Sequence, residues 1–122
     1  MTVSSVYFDT SPFIYLVEGH SQFAPVVAAF VQECVAGNTM FSTSVLTVME
    51  FGVKPLQLGR TDLLGKFDEL IRELNFIVQP ITEEIAFNAA QLRASYSFLK
   101  SLDALHLAAA QKMSCELFLT NN

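Results

Sequence analysis

The chain has 122 residues, of which 52% are hydrophobic and 16% charged, and its formal net charge is -5. This length accommodates one hydrophobic core, and the apolar content is enough to offset chain entropy, so we predict a single globular domain at residues 1–122 rather than disorder. The negative charge counts against a nucleic-acid partner, but acids gathered around a divalent cation would explain part of the excess, so the net charge leaves this question open.

No sequence signal indicates a membrane segment or export. Charged residues such as Glu18 and Glu33 interrupt every apolar run before it reaches the roughly 18 to 20 residues of a bilayer span. The residues before Asp9 contain no Lys or Arg, unlike a secretory signal. Cys34 and Cys115 match no metal-ligand spacing and are too few for a disulfide framework, so we predict that both are buried packing residues. We therefore expect a cytoplasmic protein.

Strand and helix patterns alternate along the whole chain. Gly19 and Gly37 each follow a helical pattern and are expected to form left-handed caps, while hydroxyl residues at 42–44 and Ser101 are expected to cap the helices that follow them. In chain order, the predicted elements are a strand at 3–8, helices at 13–17 and 23–36, a strand at 40–41, helices at 45–51 and 61–74, a strand at 76–78, helices at 82–96 and 102–112, and a strand at 117–119.

This alternation predicts an α/β fold, a three-layer α/β/α sandwich with a mainly parallel sheet. In open parallel sheets, ligands bind beyond the carboxyl ends of the strands. Asp9 follows the first strand directly, Asn122 follows the last strand, and Asp103 opens a late helix. We therefore expect these three residues at one edge of the sheet.

Three acids are candidates for a metal site, and each also has a structural interpretation. Asp9 precedes Thr-Ser-Pro and is equally suited to cap a helix, and Asp103 is favoured by the helix dipole in the first turn of its helix. Glu50 lies in a helix that is apolar almost all round, so it should be paired, protonated or bound to a cation, unless it forms an exposed pair with Lys54. Together, hard oxygen ligands of this kind suit Mg²⁺ or Mn²⁺. His106 is one turn after Asp103, but a lone His on an apolar helix is more often a packed or surface residue.

Four segments, in order and spanning essentially the whole chain, resemble PIN domains, especially VapC-type toxins. They are residues 6–11 (VYFDTS), 44–51 (SVLTVMEF), 102–110 (LDALHLAAA) and 119–122 (LTNN). Of these, residues 102–110 are the most specific, whereas an Asp-Thr-Ser after a strand would be weak by itself.

The resemblance implies a nuclease that binds Mg²⁺ or Mn²⁺ through Asp9, Glu50 and Asp103 and hydrolyses phosphodiester bonds in RNA. Such an ion activates water, orients the scissile phosphate and neutralises developing charge. The resemblance also implies an antitoxin partner and a homodimer. The family's hydroxyl positions beside the acids correspond to Thr10, Ser11 and Thr120. Each of these residues is equally suited to a turn or a cap.

The sequence departs from the family pattern at its end, where Asn122 stands in place of an acid and the family's final strand is absent. This departure favours an alternative function, a catalytically degenerate PIN-like module that binds a protein or RNA partner. A different α/β enzyme with Asp9 as a phosphoryl-accepting nucleophile is a weaker alternative, because only Lys100 offers the lysine that such a site needs.

We predict that Asn122→Asp, made in a chain extended past residue 122, tightens Mn²⁺ binding and raises the rate of RNA cleavage. An amide supplies only a dipole where the family pattern has a full negative charge, and hard divalent ions rely on a few carboxylates. Titration calorimetry measures the affinity. Equal affinity and equal cleavage for the Asn and Asp forms would exclude this position from the metal site.

Overall fold

The computed structural model describes residues 3–121, so the predicted role of Asn122 lies outside the described residues. Strands and helices alternate as the sequence indicates. In chain order, the elements are β1 (Ser5–Phe8), α1 (Thr10–Glu18), α2 (Ala24–Ala36), β2 (Met40–Ser44), α3 (Val45–Leu58), α4 (Thr61–Glu73), β3 (Ile77–Gln79), α5 (Glu83–Ser95), α6 (Ser101–Lys112) and β4 (Leu117–Leu119).

The four strands form one parallel sheet in the order β3-β2-β1-β4. Side chains alternate along β1, so neighbouring residues face opposite helical layers. Val6 and Phe8 lie in an aromatic-rich core that includes Phe13, whereas Tyr7 lies in a second core rich in alanines of α6, such as Ala104. The predicted three-layer α/β/α sandwich is therefore confirmed.

The direction of the strand order reverses beside β1. β2 and β3 follow β1 outward on one side, and the chain then crosses back through α5 and α6 to place β4 on the other side. Phe8, the last residue of β1, is in register with Leu119, the last residue of β4. Asp9 and Thr120 therefore leave the sheet side by side at a topological switch point, where open α/β sheets form their ligand sites.

The second strand and the third helix are both longer than predicted. β2 continues through residues 42–44 because these hydroxyl residues are buried and pair with β3, and only Ser44 caps α3, accepting a hydrogen bond from the Leu46 amide. α3 continues past Phe51 to Leu58, although Pro55 lacks an amide hydrogen. Because the Pro55 ring is fully buried, packing compensates for the missing hydrogen bond, and Glu50 lies in mid-helix rather than near the end.

Two of the predicted caps were wrong. Gly19 has the left-handed conformation (φ 72°), but Gly37 does not, and Asn38 (φ 58°) takes that conformation one residue later. Asparagine tolerates it because its short polar side chain bonds locally. Ser101 is the first residue of α6 rather than its cap, a position that Lys100 occupies without a side-chain hydrogen bond.

The two cysteines differ in burial. Cys34 is buried as predicted, whereas Cys115 is only half-buried at the edge of the alanine-rich core, so that prediction was wrong. Burial raises the pKa of both thiols. Within residues 3–121, no helix combines the length and the apolar character that crossing a membrane requires.

Candidate functional site

Asp9 is buried directly after β1, and hydrogen bonds hold its backbone and both of its carboxylate oxygens. Its amide donates to the Leu119 carbonyl oxygen at 3.2 Å, the Ser11 amide donates to Oδ1 at 3.2 Å, and the Thr120 hydroxyl donates to Oδ2. Burial raises the pKa of the Asp9 carboxyl and nearby Glu50 adds to the rise, while the bonds from Thr120 and Ser11 oppose it. Asp9 therefore caps α1, as its structural interpretation predicted, and also presents a desolvated carboxylate.

Glu50 projects from α3 toward the residue that follows Asp9. Its Oε1 accepts hydrogen bonds from the Thr10 hydroxyl at 2.8 Å and from His106 Nε2 at 2.6 Å. The alternative pairing with Lys54 is wrong, because Lys54 Nζ lies 3.5 Å from Glu18 Oε1. Apolar side chains of α3 such as Val48 and Met49 are exposed, but Glu50 is paired, as its setting predicted.

His106 is 3% exposed and connects Glu50 to the central strand. The Tyr7 hydroxyl lies 2.8 Å from His106 Nδ1 and 2.8 Å from Ser44 Oγ. A carboxylate only accepts hydrogen bonds, so Nε2 carries the proton shared with Glu50. Burial raises the pKa of Tyr7, which keeps its hydroxyl protonated. A continuous polar chain therefore runs from Ser44 through Tyr7 and His106 to Glu50 and Thr10.

Asp103 lies in the first turn of α6 and shares a pocket with Asp9 and Thr120. The pocket has a volume of about 390 Å³, within the range of small-molecule sites. Its other walls are mainly apolar and include one cation; they are formed by Phe98, Leu99, Lys100, Leu107 and Phe118. Two of the three predicted acids thus face one cavity, and Glu50 reaches the same end of the sheet through Thr10.

The donor chemistry of this site fits a hard divalent cation. The carboxylates supply oxygen ligands, and a cation would compensate the buried charge of Asp9. Among residues 3–121, however, no group of three or more His, Cys, Asp or Glu side chains is close enough to hold one ion directly. The pocket itself contributes two acids, Asp9 and Asp103, so the predicted three-acid ligand set stays a prediction.

The predicted hydroxyl residues contact the acids in different ways. Thr10 donates to Glu50 and Thr120 donates to Asp9 through their hydroxyls, whereas Ser11 contacts Asp9 through its backbone amide. Sequence reasoning did not single out Tyr7, although strand alternation places it on the same side of β1 as Asp9.

His106 and Ser44 carried weaker sequence signals. The spacing of three residues puts His106 on the same face of α6 as Asp103. The surface alternative for His106 is wrong, and its contact with Glu50 was not foreseen. Ser44 was recognised as a cap, but its bond to Tyr7 follows only from the pairing of β1 with β2.

The family model described as "PIN domain" matches residues 6–122 of this chain. No curated protein sequence matches the chain. A solved toxin-antitoxin complex from Klebsiella pneumoniae is similar to it, with 27% identity and a TM-score of 0.67 over 95% of this chain and 86% of that one.

Two further solved structures share the fold at lower identity. VapBC2 from Rickettsia felis, bound to a DNA fragment from its promoter, has a TM-score of 0.76 at 17% identity, covering 97% of this chain and 87% of that one. VapC20 from Mycobacterium tuberculosis, described as a toxin that cleaves the Sarcin-Ricin loop, has a TM-score of 0.73 at 13% identity, covering 96% and 89%.

We predict that Asp9→Asn stabilises the metal-free protein at neutral pH. The folded state raises the pKa of Asp9, so ionisation costs stability as the pH rises through the folded-state value, and the Asn variant avoids this loss. Its advantage should disappear as the pH falls to the ordinary Asp value of 3.8. Thermal unfolding in EDTA at both pH values measures the effect. Exposed Asp68, changed to Asn, is the control, and an Asp9→Asn variant less stable than wild type at neutral pH would contradict the prediction.

Proposed function

Because this chain belongs to the PIN-domain family, we propose that it is an endoribonuclease dependent on Mg²⁺ or Mn²⁺ that hydrolyses phosphodiester bonds in RNA. Members of the family are generally ribonucleases that use divalent metals. The observation that carries the proposal is the pocket at the switch point, where the buried carboxylate of Asp9 lies beside Asp103. We further propose that residues 1–122 form one domain and that the protein acts in the cytoplasm.

In this proposal, Asp9 and Asp103 hold the ion from the pocket, and Glu50 completes its acidic environment. The ion supplies activation of water and stabilisation of the charge that develops on the phosphate. The orientation of the Asp9 carboxylate is fixed, because the Ser11 amide and the Thr120 hydroxyl each donate a hydrogen bond to one of its oxygens. The attack on phosphorus needs no covalent enzyme intermediate.

Glu50 is oriented by two donors that converge on one oxygen. Thr10 and His106 both bond Oε1, and within residues 3–121 no hydrogen bond reaches Oε2. Oε2 is therefore the Glu50 oxygen that is available to contact the ion or its waters. His106 and Tyr7 are positioning residues, because they act on the site through Glu50.

A catalytically silent module that binds a protein or RNA partner is the second candidate function. It is favoured by the absence of a three-ligand group within residues 3–121 and by Asn122 at the family's acidic position. The two candidates differ in whether RNA is cut or only bound.

We predict that Asp9→Asn and Asp103→Asn each lower RNA cleavage with Mg²⁺ or Mn²⁺ by about a hundredfold or more while the fold stays intact. Loss of residues around metal ligands typically costs 10- to 100-fold, so loss of a ligand should reach at least the upper end. Cleavage of labelled RNA and circular dichroism measure the two effects, with Asp68→Asn as the control. If the wild type binds RNA but cuts none with either metal, the silent module is the correct function.

We also propose that the protein pairs with an antitoxin. The similar Klebsiella pneumoniae structure is a toxin-antitoxin complex. A net charge of -5 favours a partner segment that carries basic residues. An antitoxin that forms a stable complex with this chain should suppress RNA cleavage when added in equal amounts, and continued cleavage in the complex would exclude this role.

A homodimer is proposed through an apolar stripe on α3. Val45, Val48, Met49 and Leu56 are all exposed, and their spacing places them along one side of the helix. An uncharged stripe suits a second copy of itself, because a two-fold interface brings the same patch together. We predict that Val48→Glu combined with Met49→Glu converts a dimer to a monomer, as measured by light scattering. A monomeric wild type, or a variant that stays dimeric, would refute this interface.

A further inference from the structure

Phe98 stands at the rim of the acidic pocket and is 80% exposed. A single exposed apolar residue is ordinary on a protein surface. Phe98, however, lines the same cavity as Asp9 and Asp103 and lies in the short connection between α5 and α6. An accessible aromatic face is thus placed next to the two acids of the proposed metal site.

Hydrogen bonds on both sides of Phe98 hold the connection in place. The Tyr96 amide bonds the Leu92 carbonyl oxygen at 2.8 Å, and the Leu99 amide bonds the Tyr96 carbonyl oxygen at 3.0 Å. Arg93 Nε also donates to the Leu99 carbonyl oxygen at 3.0 Å. The Tyr96 ring lies edge-on to the Phe98 ring, with the centroids 6.2 Å apart. The backbone on either side of Phe98 is therefore held by hydrogen bonds within the chain.

The pocket has an apolar part and a charged part, as a nucleotide has a base and a phosphate. Leu107 and Phe118 line the apolar part, and Asp9 and Asp103 line the acidic part. Among residues 3–121, Lys100 is the one cation that lines this cavity. A flat base can occupy the apolar part while its phosphate approaches Lys100 and the acids, whose negative charge a divalent ion would reverse.

We infer that Phe98 and Lys100 bind the RNA nucleotide next to the scissile phosphate, with its base stacked on Phe98 and a phosphate contacting Lys100. This inference rests on the proposed ribonuclease function and adds two substrate-binding residues at that site. A base within a duplex has both faces covered by its neighbours, so only an unpaired base offers a face to an aromatic side chain. Phe98 favours unpaired RNA without selecting one base, because every base has such a face.

A tryptophan at position 98 tests stacking independently of cleavage, because the chain contains no other tryptophan. With Mg²⁺ present and rapid mixing to record binding before cleavage, a short single-stranded RNA should quench the emission of Phe98→Trp, whereas an abasic strand of the same length should not. Phe87, 64% exposed and outside the pocket, provides the matched control Phe87→Trp. Equal quenching by the abasic strand, or equal quenching in both variants, would overturn the inference.

Kinetics test the same inference through the KM for a single-stranded RNA. Phe98→Ala should raise KM roughly five- to a hundredfold with little change in kcat, because stacking holds the substrate before and during reaction. Phe98→Tyr should restore KM, Lys100→Ala should raise it, and Phe87→Ala should leave it unchanged.

The outcomes separate this inference from the proposed function. If the wild type cleaves RNA and Phe98→Ala leaves KM unchanged, stacking is refuted and the ribonuclease function stands. A Phe98→Ala variant that loses self-association without a change in KM assigns Phe98 to a protein interface and also refutes stacking. If the wild type cuts no RNA but base-dependent quenching persists, the nuclease proposal fails while the nucleotide site is supported.

Discussion

The burial of the Asp9 carboxylate at the end of the central strand is the constraint around which the site is organised. A buried charge without partners costs several kcal/mol. The fold limits this cost with a helix N-terminus, the Ser11 amide and the Thr120 hydroxyl, which come from segments on either side of the strand-order reversal. Burial nevertheless raises the pKa of Asp9, so a cation bound beside this carboxylate would stabilise its charged form.

A polar chain that joins β1, α6 and α3 holds the second carboxylate. Tyr7 on β1 contacts His106 on α6, and His106 contacts Glu50 on α3. Within residues 3–121, no buried side-chain polar atom lacks a hydrogen-bond partner. A fully satisfied network of this kind makes neighbouring elements rigid with respect to one another, because moving any member leaves a buried donor or acceptor unpaired. The position of Glu50 thus depends on Tyr7 and His106, which do not line the pocket.

The net charge of the molecule is negative, as is that of the proposed RNA substrate, so binding depends on local contacts. A chain of net charge -5 attracts no polyanion at long range, so binding must come from short-range contacts. The pocket offers an aromatic face at Phe98, a cation at Lys100 and a site suited to a divalent ion. The exposed stripe on α3 differs in kind, because it is apolar and contributes no residue to this pocket. One surface suits a nucleotide and the other suits a protein.

Local pattern determined the order of the elements, the parallel sheet between helical layers and the placement of Asp9 at a strand end, because hydrophobic period and capping residues act within a few positions of the chain. Tertiary packing decided the rest. α3 passes through Pro55 because that ring is buried in the core, and Asn38 rather than Gly37 turns left-handed. The pairing of Glu50 with His106 joins residues 56 positions apart, and no local signal specifies such a contact. It exists because the sheet brings α3 and α6 to the same edge.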